Sequence, residues 1–339
     1  MKIILIVFYL LSFLLSYLKK TPLWLYYIFA LLLALTAGFR DVSLFMDSEI
    51  YTNAFYGDVN EKYELSFVFI VFVAKKLSNT PFFMFFIYAM LGVLIKAYAI
   101  KRLTNLYFLS LSLYISYFYI LHDMTQIRAG VASAIFLLGI KYLEERNALK
   151  YFGSCLIAIF FHYSAIIVIP LYFFIKSGSI NKTWWAALIP LSYIFHLAGF
   201  TLSTLIPLIP IGFVQTLWDL YKFRMSAGIG LEINIFNVTQ LIRCFIACFM
   251  LYYSTTIMKE NRYFILLLKI YILGIISFVL LADIPDFAFR VSQFLLIVEI
   301  ILIPLMIYTF KQKKIAYIFP AFIGLIFLFL NLFYAKLVL

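Results

Sequence analysis

The sequence predicts an all-α polytopic integral membrane protein of roughly 11–13 transmembrane helices. Three observations predict it. Of 339 residues, 66% are hydrophobic and only 12% are charged, whereas soluble globular domains run at about 45–50% apolar and about 25% charged. Apolar stretches recur along the whole chain, many near the ~20 residues that cross a hydrocarbon core. No stretch is long and polar enough for a separate soluble domain. The chain therefore reads as one transmembrane domain, 1–339, with short loops and with 218–237 as a candidate lid.

The elements follow in order. The first apolar stretch, 3–18, lacks a small-residue cleavage site and reads as a retained helix rather than a signal peptide. The second is 22–37. The third, 65–77, is short and ends in Lys75 and Lys76, the pattern of a re-entrant or interfacial helix. Further stretches fall at 81–100, 105–121, 126–143 and 151–175. Residues 183–217 read as a helical hairpin whose second arm is made irregular by Pro207 and Pro210. The remaining stretches are 238–258, 263–282, 287–309 and 315–335.

Basic clusters at Lys19–Lys20, Lys101–Arg102, Arg146–Lys150, Lys259–Arg262 and Lys311–Lys314 stand between spans. Short basic loops are cytoplasmic orientation signals, so the net charge of +12 is not a nucleic-acid footprint, and the expected partner is the lipid bilayer. The loop at 40–62 is mostly acidic and is expected outside, with 122–128 and 283–290 on the same side. Cys155, Cys244 and Cys248 all lie in apolar segments without metal-ligand spacing and read as small buried hydrophobes.

Against that background, four short polar signatures stand out: GFRDVSLFMDSEIY (38–51), HDMTQIRAG (122–130), FHYSA (161–165) and DIPDFAFR (283–290). A charged group at bilayer depth is expensive and marks a functional site by default. In the first signature, Arg40 ends the second span. Asp47 and Tyr51 are four apart and share a helix face. A carboxylate and a phenol beside an arginine suit a hydroxylated, charged ligand. Asp47, or Glu64 at the start of the next stretch, is placed to accept a proton from a substrate hydroxyl. A helix cap or an ion pair is the plainer reading of either carboxylate.

In the second signature, Gln126 and Arg128 open a span rich in small residues, Ala129 to Ala134, which lets helices approach closely and packs the arginine inside the bundle. His122 and Asp123 are expected at the membrane edge, solvated or capping. In the third, His162 lies near the middle of an apolar stretch. It is either a satisfied packing residue or a group that contacts phosphate and carries a proton near neutral pH; Tyr163 and Ser164 add hydroxyls. In the fourth, Arg290 sits about a turn inside its helix with Gln293 on the same face, and an Asp286–Arg290 pair is the architectural alternative.

Arginine forks onto phosphate oxygens and keeps its charge. Arg40, Arg128 and Arg290 brought together would seat a diphosphate, and they would neutralise it as a leaving group without a metal. The sequence carries no Asp-rich metal cage, no Walker loop and no dinucleotide glycine fingerprint, so no cofactor is expected.

GFRD with Asp47 and Tyr51, the Arg128 signature with its small residues, and FHYSA together resemble the EpsG-like branch of Wzy-type O-antigen and capsular polysaccharide polymerases. The resemblance runs along most of the chain. It departs where Phe45 and Met46 precede Asp47 in place of the family's glycine, and where Leu-Ser-Phe follows Glu64 in place of Gly-Phe. The resemblance implies a metal-independent membrane glycosyltransferase of GT-C-like architecture in the bacterial inner membrane, with its site facing the periplasm. It would transfer a growing glycan from undecaprenyl diphosphate to a sugar hydroxyl of another lipid-linked repeat unit, in O-antigen (lipopolysaccharide) or capsule synthesis, with a chain-length regulator as partner. It also implies roles. Arg40, Arg128 and Arg290 would bind diphosphate, with Gln126, Tyr51, Tyr163 and Gln293 as further diphosphate or sugar contacts. Asp47, Glu64 and His162 would be the catalytic groups.

Other readings stay open on the residues alone. A lipid-linked oligosaccharide flippase also needs arginines in a cavity, but no repeat halves are visible. An O-antigen ligase performs nearly the same chemistry. A membrane scaffold needs none of it, and a membrane acyltransferase would place its histidine beside a cytoplasmic tunnel.

Overall fold

The computed structural model describes residues 1–18, 21–45, 47–57, 63–201, 204, 219, 222 and 233–338. Nearly all of the hairpin's second arm, with Pro207 and Pro210, and most of the candidate lid lie outside the described residues. Among the described residues every regular element is helical.

The chain divides into two compact units. The first comprises Met1–Ser177, Thr256–Phe264 and Ile297–Leu339. It contains α1 (Lys2–Ser16), α2 (Leu23–Gly38), α3 (Ser48–Tyr56), α4 (Leu65–Leu77), α5 (Phe82–Leu103), α6 (Tyr107–Ser116), α7 (Ile127–Glu144) and α8 (Ala148–Phe161). The second comprises Gly178–Thr255 and Ile265–Leu296, with α9 (Lys182–Leu197), α10 (Val238–Tyr252), most of α11 (Phe264–Leu280) and α12 (Pro285–Leu296). Helix α13 (Ile318–Phe329) returns to the first unit.

Local chemistry starts and stops these helices. Asn147, Asn181 and Asn237 each accept a hydrogen bond from the third residue of the following helix, the amides of Lys150, Trp184 and Gln240, which satisfies one of the four donors every helix start leaves open. Helix α2 ends at Gly38, where the Phe39 amide still reaches the Leu35 carbonyl at 2.8 Å. Arg40 therefore emerges from the turn that closes the helix. Helix α8 ends at Phe161, and His162 adopts an extended conformation before the backbone winds again as a 3₁₀ helix, Tyr163–Val168. The sequence places His162 near the middle of one continuous stretch, 151–175; the structure breaks that stretch at the histidine and turns its ring toward neighbouring helices.

Between α6 and α7 the chain forms a π-helical turn, Tyr119–Thr125, in which the Gln126 amide reaches five residues back to the Leu121 carbonyl at 2.7 Å. Wide turns of this kind inside helical structure are rare and collect at functional sites.

In the first unit α5 is central. It packs on α2 and α7, α7 packs on α8, and α1 packs on α6. Buried hydroxyls cross between helices to backbone carbonyls. Tyr26 donates to Ala97 at 2.8 Å, Tyr119 to Leu33 at 2.6 Å and Ser12 to Phe108 at 2.8 Å. The outward faces are the reverse of a soluble protein's. Ile3, Leu14, Leu149, Leu156 and Ile157 of the first unit, and Ile194, Leu241 and Phe245 of the second, are exposed. An apolar exterior over an interior crossed by helix-to-helix hydrogen bonds is the arrangement of a membrane protein. Among the described residues two helical stretches, Phe82–Leu103 and Pro285–Thr309, are long and apolar enough to cross a bilayer, and several shorter apolar helices accompany them. Helix α4 has 13 residues, about 20 Å at 1.5 Å per residue, less than the ~30 Å of a hydrocarbon core.

Candidate functional site

Glu64 is the centre of the site. It precedes the first residue of α4, in extended backbone. Its side chain is only 3% exposed, and a carboxylate this deep needs partners for both oxygens. Oε2 is ion-paired with Nη1 of Arg128, on the first turn of α7. Oε1 meets Nδ1 of His162 at 2.9 Å and accepts from the Tyr163 amide at 3.4 Å. The break at His162 supplies the last two contacts, because an unbroken helix would have spent the Tyr163 amide on its own backbone. Three sequence-distant segments thus converge on one carboxylate.

Arg128 also lies over three rings, 5.5 Å from that of Tyr51 and 5.4 Å from those of Tyr63 and Phe67. Ring faces attract a guanidinium within about 6 Å. Its side chain is 19% exposed and that of His162 is 16% exposed, so the cluster is reachable from outside the protein interior. The Arg128 Nε hydrogen has no protein partner.

Arg40 stands close by in a different state. It is 5% exposed, packed over Phe85 at 4.9 Å and Phe45 at 5.5 Å. One nitrogen, Nη1, donates to the Ala37 carbonyl at 2.5 Å. Its Nε and Nη2 are buried without a partner. Tyr51 and Asp123 are near enough to act on its charge. A guanidinium with two unused donors in an aromatic slot is equipped to take an anionic oxygen.

A second buried ionic cluster lies in the same unit, and the sequence reading had no place for it. Lys96, deep in α5, is fully buried. Its ammonium donates to both oxygens of Asp123 at 2.9 Å and to the Gly130 carbonyl at 2.7 Å. The Tyr114 hydroxyl donates to Asp123 at 2.6 Å. His122 Nδ1 meets the Ser133 hydroxyl at 3.1 Å, and that hydroxyl donates to the Gly130 carbonyl at 2.9 Å. This corrects the expectation that His122 and Asp123 sit solvated at the membrane edge: both are buried, because the π-helical turn carries them inward. The available signal was Lys96 itself, a lysine inside the apolar run 81–100.

The other candidates are placed as follows. Asp47 is half-buried immediately before α3 and acts on Tyr51 electrostatically; Tyr51 is buried against Phe67 and Phe85. Gln126 is half-buried at the residue before α7, where its carbonyl accepts from the Gly130 amide at 2.9 Å. Tyr163 contributes its backbone amide to Glu64, while its side chain points outward, the residue being 54% exposed. Arg290 and Gln293 belong to the second unit, on α12. Although three apart, they differ in environment, Arg290 exposed and Gln293 8% exposed.

Comparison with known proteins gives one consistent result. Residues 23–338 match the sequence model of the EpsG family. The chain is 26% identical over 301 residues to the amylovoran biosynthesis protein AmsC of Erwinia amylovora, covering 83% of this chain and 78% of that protein. No solved structure matches.

Proposed function

Because the chain belongs to the EpsG family, we propose that it is a membrane glycosyltransferase that polymerises a polysaccharide. In this reading it transfers a growing glycan from undecaprenyl diphosphate to a sugar hydroxyl of another lipid-linked repeat unit, at the periplasmic face of a bacterial inner membrane. The printed role of AmsC, in the biosynthesis of amylovoran, supports polysaccharide synthesis as the setting. The observation that carries the reading is the Glu64–Arg128–His162 cluster with Arg40 beside it. It is a reachable cationic seat backed by a carboxylate and an imidazole.

The chemistry follows from these groups. The acceptor hydroxyl oxygen attacks the anomeric carbon of the donor, the bond from that carbon to diphosphate breaks, and the diphosphate departs with the electron pair. Arg128 and Arg40 bind the departing anion, and stabilising charge that develops in the transition state is usually the largest catalytic contribution. Their positive charge lets the reading proceed without a metal. Glu64 is already held by Arg128 and His162, so it orients rather than accepts. With Nδ1 of His162 directed at Glu64, Nε2 is left to take the acceptor proton, the arrangement of a base oriented by a carboxylate. Asp47 beside Tyr51 binds acceptor hydroxyls. Arg290, Gln126 and Gln293 are further substrate contacts in this reading, and Tyr163 contributes through its backbone amide on Glu64. A GT-C-like architecture of 11–13 crossings and a chain-length regulator complete it, and O-antigen or capsule is the product class.

The test is polysaccharide length on a gel from cells lacking this gene, complemented with wild type or Arg128→Ala at equal membrane abundance. The expected outcome is a ladder with wild type and single repeat units with the variant. Loss of all surface units in the deleted strain points instead to a flippase or a ligase. An unchanged ladder on deletion removes the polymerase reading.

A further inference from the structure

We propose that Lys96 and Asp123 are positioning residues: their buried ion pair, acting through the π-helical turn Tyr119–Thr125, sets the first turn of α7 and with it the aim of Arg128. This rests on the reading of Arg128 as the anion-binding group and adds to it residues that never touch substrate.

The geometry carries the inference. An ammonium has three donors, and all three of Lys96 are spent: two on the Asp123 carboxylate and one on the Gly130 carbonyl. Asp123 belongs to the π-helical turn, and Gly130 lies two residues past Arg128 on α7. One side chain from α5 therefore grips both ends of the segment that carries Gln126 and Arg128. His122, through Ser133, ties the same turn to the same Gly130 carbonyl. Arg40 and Asp123 also act on each other electrostatically, so the pair is within reach of the second arginine.

Two glycines show how closely the parts are fitted. A Cβ at Gly92 would stand 2.1 Å from Asp123 Oδ1, and one at Gly130 would stand 2.4 Å from the His122 carbonyl oxygen. A methyl group at Gly92 would displace the Asp123 carboxylate, and one at Gly130 would shift the backbone of the π-helical turn. The turn and the helix start behind it are thus registered against α5 through Gly92, Lys96 and Gly130 together. Fold stability alone does not require ions here, since apolar residues of similar volume often replace a buried ion pair at no loss. What an ion pair adds is a directed, short-range constraint, and this one is applied two residues from the arginine of the site.

A double-mutant cycle tests the proposal on the full chain in lipid nanodiscs, with a lipid-linked repeat unit as substrate. The variants are Lys96→Met/Asp123→Asn, which removes both charges together, and Gly92→Ala, which displaces Asp123 and leaves the charges in place. Each is made with and without Arg128→Ala, and melting temperature is recorded beside polymerisation rate. The expected result is folded protein whose rate is down about 30-fold or more, and on which Arg128→Ala costs less than about threefold further, against about 10²–10³-fold in the unaltered background. Equal cost of Arg128→Ala in both backgrounds overturns the proposal, as does an unaltered rate in the Lys96→Met/Asp123→Asn protein. So does failure of both the charge-neutral and the Gly92→Ala proteins to fold, which makes the pair architectural. If Arg128→Ala is silent in the unaltered background, the site reading itself fails, and the two failures are told apart.

Discussion

The Glu64 cluster and the Lys96–Asp123 pair are two answers to the same problem, a buried ion pair. Both join residues far apart in sequence, and both use backbone groups to finish what side chains begin. They differ in what is left over. Around Lys96 every ammonium donor is spent, Tyr114 adds a further bond to the carboxylate, and the pair is sealed. Around Glu64 the carboxylate is sealed, but Arg128 and His162 keep partial exposure, and the Arg128 Nε donor is unused. Partly exposed cationic side chains separate the cluster that can meet a ligand from the one closed off around its neighbours. Arg40 is a mixed case, since it is buried like Lys96 yet retains two unpartnered nitrogens.

Removing one member of the sealed pair should have the largest effect. Asp123→Ala leaves Lys96 buried and unpaired, and breaking a buried pair from one side costs about 3–5 kcal/mol. The expected outcome is loss of folded protein, read as membrane abundance and melting temperature in detergent. If Asp123→Ala protein accumulates normally with a wild-type melting temperature, the two clusters are not the different structures described. Arg128→Ala should do the opposite, with abundance near wild type and polymerisation down about two to three orders of magnitude. A melting temperature that falls as far as that of Asp123→Ala would make this arginine architectural.

Smaller effects sharpen the contrast. Glu64→Gln keeps one hydrogen-bonding oxygen but removes the charge that holds Arg128 and orients His162. A rate loss of about tenfold, equivalent to about 1.4 kcal/mol, is expected, measured with lipid-linked substrate at matched protein amounts. A loss as large as that of His162→Ala would instead give Glu64 the proton-accepting role. Tyr163→Phe should matter least. Its hydroxyl points outward and its contribution to Glu64 comes from the backbone, so product length should be unchanged and stability should move by less than about 0.5 kcal/mol.

Much of this was legible in advance. The helix-only architecture followed from composition and from the spacing of apolar runs. The segments carrying Arg40, Glu64, Arg128 and His162 were legible because charge inside hydrocarbon-length stretches has few innocent explanations. The helix starts at Asn147, Asn181 and Asn237 follow a local rule. Three things were not legible. The break at His162 is invisible in FHYSA, since nothing there stops a helix and only the contact with Glu64 uses the break. The π-helical turn carries His122 and Asp123 inward by a change in backbone pitch, which no periodicity announces. The role of Lys96 needed its partner to be seen, because a single lysine in an apolar run is also what snorkelling to the interface looks like.

The sequence by itself determined the solvent this chain is composed for and which few residues could not be ignored there, because a charge is costly in an apolar medium whatever its sequence neighbours. Tertiary structure decided which charges meet. Arg128 lies 64 residues from Glu64, and His162 lies 98 residues from it. Across such separations pairing is a matter of helix packing and turn geometry, not of local pattern. Packing also set what was left unpaired, and in the reading proposed here the unpaired donors are the ones that bind substrate.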